Sequence, residues 1–187
     1  IGTHAGGFLP FELDLSGLRA GVNRLVVRVD NRRGPADLPP GPGGGWWNYG
    51  GISREAYLRA VSGVDLSQLQ VRAAPSCQTC SATVSEQATL RNLSNRRQTV
   101  WLHGVYGTAR IDFGALSLGP GSTLVAQAVT TVRRPQLWSP DHPHLYRATL
   151  KLTDARDREL GGWVTDSGIR TITLTPGGRL LLNDRLL

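Results

Sequence analysis

Thr99-Val100-Trp101-Leu102-His103-Gly104-Val105 alternates along the chain, as does the shorter run Ala82-Thr83-Val84-Ser85. A period of two is the mark of a strand that buries one face. Working outward, short β-rich runs are expected at about 68–74, 82–92, 98–106, 122–132, 145–154 and 161–174, each bounded by turns. Leu118-Gly119-Pro120-Gly121-Ser122 is a turn, and Asp154-Ala155-Arg156-Asp157-Arg158 reads as a hairpin tip. No segment sustains a helical period. Six or seven strands in about 110 residues is the count of a small antiparallel sandwich of immunoglobulin-like architecture, without the Cys-Trp-Cys spacing of antibody domains.

Upstream, Phe11 to Leu15 alternates, Arg24-Leu25-Val26-Val27-Arg28-Val29-Asp30 is a β-branched run, and Arg54 to Val61 reads as one more strand. The pattern pauses at Ser62-Gly63-Val64-Asp65, where a domain boundary is expected. Between the early strands lies a breaker-rich loop from Asn31 to Gly45, closed by Gly43-Gly44-Gly45-Trp46-Trp47-Asn48-Tyr49-Gly50-Gly51. Loops of this length are often functional. Glycines allow close backbone approach, and the aromatic rings either brace two elements or face a ligand. Beyond Thr175, Pro176-Gly177-Gly178-Arg179 is a turn and Leu180 to Leu187 starts a new apolar element. The organisation expected is 1–62, 63–174 and 175–187. The chain has no methionine and opens inside a motif, Gly2-Thr3-His4-Ala5-Gly6-Gly7, so a piece of a longer protein is expected.

The net charge of +7 comes almost wholly from arginine and is spread along the chain, with no basic run longer than a pair. A nucleic-acid binder concentrates such charge in a stripe, so no nucleic-acid partner is expected. No apolar run reaches membrane-spanning length, and no membrane partner is expected. Cys77 and Cys80 form a single C-x-x-C. Structural zinc needs four ligands, and His4, His103, His142 and His144 are scattered. A local disulfide or two incidental thiols are both compatible with the pair. No metal and no cofactor is assigned.

Four stretches together resemble glycoside hydrolase family 2, the β-galactosidase, β-glucuronidase and β-mannosidase group. The first joins His4-Ala5-Gly6-Gly7-Phe8-Leu9-Pro10-Phe11 with Val29-Asp30-Asn31, and the second is Trp47-Asn48-Tyr49-Gly50-Gly51-Ile52-Ser53-Arg54-Glu55. The third is Leu137-Trp138-Ser139-Pro140-Asp141-His142-Pro143-His144-Leu145-Tyr146. The fourth is Gly168-Ile169-Arg170 with Leu182-Asn183-Asp184. The resemblance implies an all-β chain: a partial jelly-roll, galactose-binding-like β-sandwich followed by an immunoglobulin-like antiparallel β-sandwich. It also implies a retaining β-glycosidase as the parent enzyme. In that family two glutamates about 5 Å apart work on an (α/β)8 barrel, which would begin near Leu182.

No catalytic residue is therefore assigned here, and the chain alone should be inactive. Its partners would be the parent's own barrel and carbohydrate. Trp46, Trp47, Asn48 and Tyr49 are the substrate-binding candidates, placed at the rim of a sugar site. Gly43-Gly44-Gly45 stands where several members of the family carry a sugar-holding acid, and the nearest upstream acid is Asp37. Exposed edges of an incomplete first sandwich would favour self-association. The alternative is a stand-alone carbohydrate-binding or structural β-sandwich module.

Overall fold

The computed structural model describes residues 1–7, 9–32, 50–61 and 63–187. Two units are distinguished, Ile1–Leu58 and Arg59–Leu187. No strand forms among the described residues of the first unit. The runs at 11–15, 24–30 and 54–61 therefore differ from the strands expected of them. Alternation supplies a face, but a strand exists only when a neighbour completes its ladder. Leu25, Val26, Val27 and Val29 stand 59%, 79%, 52% and 49% exposed. Local hydrogen bonds do form in this unit. Arg19 N donates to Asn23 Oδ1 at 3.0 Å, and Asn23 Nδ2 returns to Arg19 O at 2.8 Å. The Arg32 side chain donates to the Asp30 carboxylate, Nε to Oδ1 at 2.9 Å, and holds that carboxyl down at about 2.

The second unit contains β1 Val64–Pro75, β2 Ala82–Asn92, β3 Gln98–Tyr106, β4 Ala109–Leu118 and β5 Thr123–Val132. It continues with β6 Tyr146–Thr153, β7 Glu159–Ser167, β8 Ile172–Leu174, β9 Leu180–Leu182 and β10 Arg185–Leu186. A three-stranded sheet runs β1-β2-β5 and a four-stranded sheet runs β4-β3-β6-β7, with antiparallel pairing throughout. The chain crosses between sheets after β2, β4 and β5, which is a Greek-key path. The three last strands form a separate sheet in the order β10-β9-β8. No helix occurs among the described residues, so the all-β reading holds.

The core follows from period two. On β2, Ala82, Val84, Ala88 and Leu90 are buried, while Thr83 and Ser85 face out. Val100, Leu102 and Tyr106 from β3 and Ala148, Leu150 and Leu152 from β6 meet them across the gap. Gly104 has no alternative at its position, because a Cβ there would lie 1.9 Å from Thr149 O on β6. The end of the sandwich at which β1 enters is sealed by polar groups. Buried Asn92 sends Nδ2 to the carbonyls of Arg96 and Gly119, each at 2.7 Å, and accepts from the Ser94 hydroxyl.

β4 lies where no strand was expected. Its apolar phase is odd at Ile111 and Phe113 and even at Leu116 and Leu118, so no single alternation is visible. The cause is a bulge opposite β3, where the register shifts between Trp101 and His103 and Gly114 takes φ 71°. A second shift, between Leu66 and Gln68, conceals the start of β1 in the same way. The run expected at 161–174 divides into β7 and β8, which belong to different sheets.

Candidate functional site

Trp46, Trp47, Asn48 and Tyr49 lie outside the described residues. What the structure does bring together is the far end of the sandwich, where the third and fourth motifs meet. The β5–β6 connection carries Trp138. Its N–H donates to Ile169 O at 2.8 Å, and its carbonyl accepts Asn183 Nδ2 at 3.0 Å. Ile169 is fully buried beneath it. Gly168 must be glycine, since a Cβ would sit 2.7 Å from Trp138 Cβ. The Arg170 guanidinium carbon is 4.9 Å from the centre of the Trp138 ring, a cation–π contact. A proline-braced turn follows, with Ser139 and His142 exchanging backbone hydrogen bonds at 3.0 and 3.1 Å.

Asn183 joins three segments. Its Oδ1 accepts from Thr171 N at 3.0 Å, and its N–H donates to Thr171 O at 3.0 Å. Its carbonyl accepts Gln78 Nε2 at 2.6 Å, from the β1–β2 hairpin tip. Asn183 and Asp184 take φ 49° and 62°, the left-handed pair a two-residue hairpin turn between β9 and β10 requires. Asparagine suits this place because it tolerates that conformation and carries both a donor and an acceptor. Cys77 and Cys80 at the hairpin tip form a disulfide, which selects one of the two readings of the pair.

Next to this junction the sandwich end is aromatic. The Tyr106 and Tyr146 rings stack at 5.4 Å, and His144 meets Tyr146 edge-on at 4.7 Å. The Tyr106 hydroxyl donates to Ser167 O at 3.2 Å, and the Tyr146 hydroxyl accepts Gln136 N at 2.8 Å. Both phenols are therefore committed to holding strand ends and loops.

Three acids of the second unit are held by arginines or backbone N–H groups. Asp154 accepts the backbone N–H groups of Arg158 and Arg156, which lower its carboxyl below the usual range, as the hairpin-tip reading expects. Arg147 does the same for Asp166 on the outer face of the four-stranded sheet. Asp65 is wholly buried between Arg59 and Arg91. Burial pushes its carboxyl up, but hydrogen bonds from Arg59 and then Arg91 outweigh that and hold it low. The pair sits by a cavity of about 180 Å³ between β1 and β7, lined also by Leu66, Leu152, Gly161 and Gly162.

Glu86 differs from these three. It is 1% exposed, and neither carboxylate oxygen has a hydrogen-bond partner. Burial pushes its carboxyl up to about 7. Its signal is present in the sequence, because Glu86 occupies the inward phase of β2 between Val84 and Ala88. The signals for Gln78 and for the convergence of Trp138 with Asn183 are absent from any local pattern. Among the described residues no group of three or more His, Cys, Asp or Glu is placed to hold a metal ion. The arrangement at the Trp138 end is a clamp in which Asn183 is hydrogen-bonded to Thr171, Trp138 and Gln78.

Known proteins resemble this chain in sequence and in fold. The chain is 30% identical to a β-galactosidase of Pectobacterium atrosepticum, with 99% of this chain and 18% of that protein aligned. It is 26% identical to a β-galactosidase of Thermoanaerobacter pseudethanolicus, with 98% of this chain and 25% of that protein aligned. The chain thus spans a quarter or less of these relatives' length. The crystal structure of a Bacteroides uniformis β-glucuronidase superposes with a TM-score of 0.67 at 23% identity, covering 80% of this chain and 20% of that one. The exo-chitosanase of Amycolatopsis orientalis gives 0.61 at 20% identity, covering 69% of this chain and 16% of that one. At those identities the two structures speak to the fold. The sequence model for glycosyl hydrolases family 2 matches residues 65–170, more than half of the chain. The chain therefore belongs to glycosyl hydrolases family 2.

Proposed function

We propose that this chain is a non-catalytic part of a β-glycosidase that hydrolyses O-glycosidic bonds, and that it braces the enzyme's catalytic barrel. In this reading 1–62 is the end of a jelly-roll domain, 63–174 is the immunoglobulin-like domain, and 175–187 leads to the barrel. The observation that carries it is the clamp in which Asn183 bonds Thr171, Trp138 and Gln78 at once. A segment held by three separated parts of a sandwich is fixed in direction, which is what a neighbouring active site needs from its support. The relatives' names supply the β-glycosidase class, and retaining chemistry by two barrel carboxylates would be the parent's mechanism. Trp46, Trp47, Asn48 and Tyr49 would lie at the rim of the sugar site, where ring faces and an amide suit a pyranose.

Two measurements test the proposal. The purified chain is expected to leave chromogenic β-galactosides and β-glucuronides uncleaved, and turnover that persists through purification to homogeneity overturns the non-catalytic role. The gene is expected to continue past the codon for Leu187 with a barrel-length reading frame. A stop codon there overturns the bracing role.

A further inference from the structure

The β1–β2 hairpin tip is a ring of four residues closed by the Cys77–Cys80 disulfide, with Cys80 N donating to Cys77 O at 3.2 Å. Cys77, Gln78 and Thr79 are exposed, so the bond is open to attack from solvent. From inside that ring Gln78 reaches across 105 positions of sequence to Asn183 O. Asn183 is the residue that also holds Thr171 and Trp138. One side chain thus connects the cross-linked ring to the junction. A ring this short removes little entropy from the unfolded chain, so opening it acts locally and leaves the sandwich in place.

We propose that Cys77–Cys80 is a thiol-exchange site whose state sets how firmly the Asn183 junction is held, and that its reactant is a dithiol reductant. One thiolate of the dithiol attacks the exposed Cys77 Sγ. The Sγ–Sγ bond breaks, and Cys80 leaves as a thiolate that takes a proton. The second thiolate of the reductant then attacks the mixed disulfide, releases the Cys77 thiolate to be protonated in turn, and closes into a cyclic disulfide. Two electrons pass to the protein, and the dithiol is oxidised. Without the ring, the turn that aims Gln78 is free to relax, and the bond to Asn183 O is populated less. The effect is reciprocal: the Gln78 contact favours the closed disulfide by the same factor. The proposal concerns residues of this chain alone and stands apart from the bracing role.

The test is amide hydrogen exchange on the whole chain, oxidised and after reduction with dithiothreitol. The Asn183 and Thr171 amides are expected to exchange about fivefold faster when reduced, the scale of losing one hydrogen bond. The Leu90 and Leu150 amides in the core should not change. Gln78→Ala in the oxidised chain should give the same acceleration, with no further gain on reduction. A chain carrying both Cys77→Ser and Cys80→Ser should behave as the reduced form. Gln78→Ala should also shift the equilibrium with the dithiol about fivefold toward the open form. Unchanged protection of Asn183 and Thr171 on reduction overturns the proposal. So does an acceleration by reduction that persists in Gln78→Ala, or one shared equally by Leu90 and Leu150.

Discussion

Glu86→Leu should stabilise this protein above neutral pH and remove a dependence of stability on pH. In the folded chain the Glu86 carboxyl is buried without a partner and titrates at about 7, against 4.5 when solvated. The nearby phenol of Tyr106 cannot help, because its hydroxyl is bound to Ser167. Between those two pH values the folded state keeps a proton that the unfolded state has released. Stability is therefore full below about 4.5, falls as pH rises toward 7, and levels off above it. At about 1.4 kcal/mol per pKa unit, the loss is about 3 kcal/mol at pH 8. Leucine at the same inward position, between Val84 and Ala88, removes both the titration and the orphaned oxygens. Urea unfolding followed by circular dichroism at pH 5, 6, 7 and 8 measures the effect. Subtracting the variant from the parent cancels every other titrating group. The difference should grow from near its pH 5 value by about 2–3 kcal/mol at pH 8. Glu86→Gln should also flatten the profile, but it gains less because the amide is buried without partners. A parent-minus-variant difference that is flat from pH 5 to 8 refutes the reasoning, as does a leucine variant less stable than the parent at pH 8.

Three more outcomes follow from particular contacts. Asn183→Ala removes the bonds to Thr171 N and Trp138 O and puts alanine, which tolerates the left-handed region less well than asparagine, at φ 49°, so it should cost about 1–3 kcal/mol and speed tryptic cleavage after Arg179 and Arg185. Gly104→Ala drives a Cβ into Thr149 O and should lower the unfolding midpoint by more than a surface glycine replacement such as Gly177→Ala, read by thermal scans. Asp65→Asn leaves Arg59 and Arg91, each about a third exposed, without the carboxylate between them, and should cost about 1–3 kcal/mol at pH 7 in urea unfolding. Its carboxyl is held below the solvated value of 3.8, so its contribution is present above that pH and is lost on acidification through the lower folded value.

Much of the second unit was legible before any coordinates. The runs at 82–92 and 98–106 coincide with β2 and β3, and those at 122–132 and 145–154 lie within a residue of β5 and β6. In each the alternation holds, save at the last residue of β6, where the register against β7 shifts. The turns at 119–122, 154–158 and 176–179 formed where glycine, proline and aspartate had marked them. β4 and the start of β1 escaped because a bulge shifts the inward phase by one residue and cancels the period. In the first unit the β-branched run Leu25-Val26-Val27 had the right composition and yet forms no strand among the described residues. The rim candidates Trp46 to Tyr49 fall outside those residues. The clamp was half legible: its motifs were visible, and their meeting was not.

The sequence alone determined that this chain is β-structured, that its strands are short and turn-bounded, and that its motifs are those of family 2. Alternation, turn residues and motif spacing are local properties, readable within a few positions. Only the tertiary structure decided that Trp138, Gly168 and Asn183 occupy one junction, that Gln78 reaches it from the far hairpin, and that Glu86 is buried with no partner. Those facts depend on which strands pair and where each ladder begins. Side chains many positions apart are brought within hydrogen-bond range, or left out of it, by that pairing.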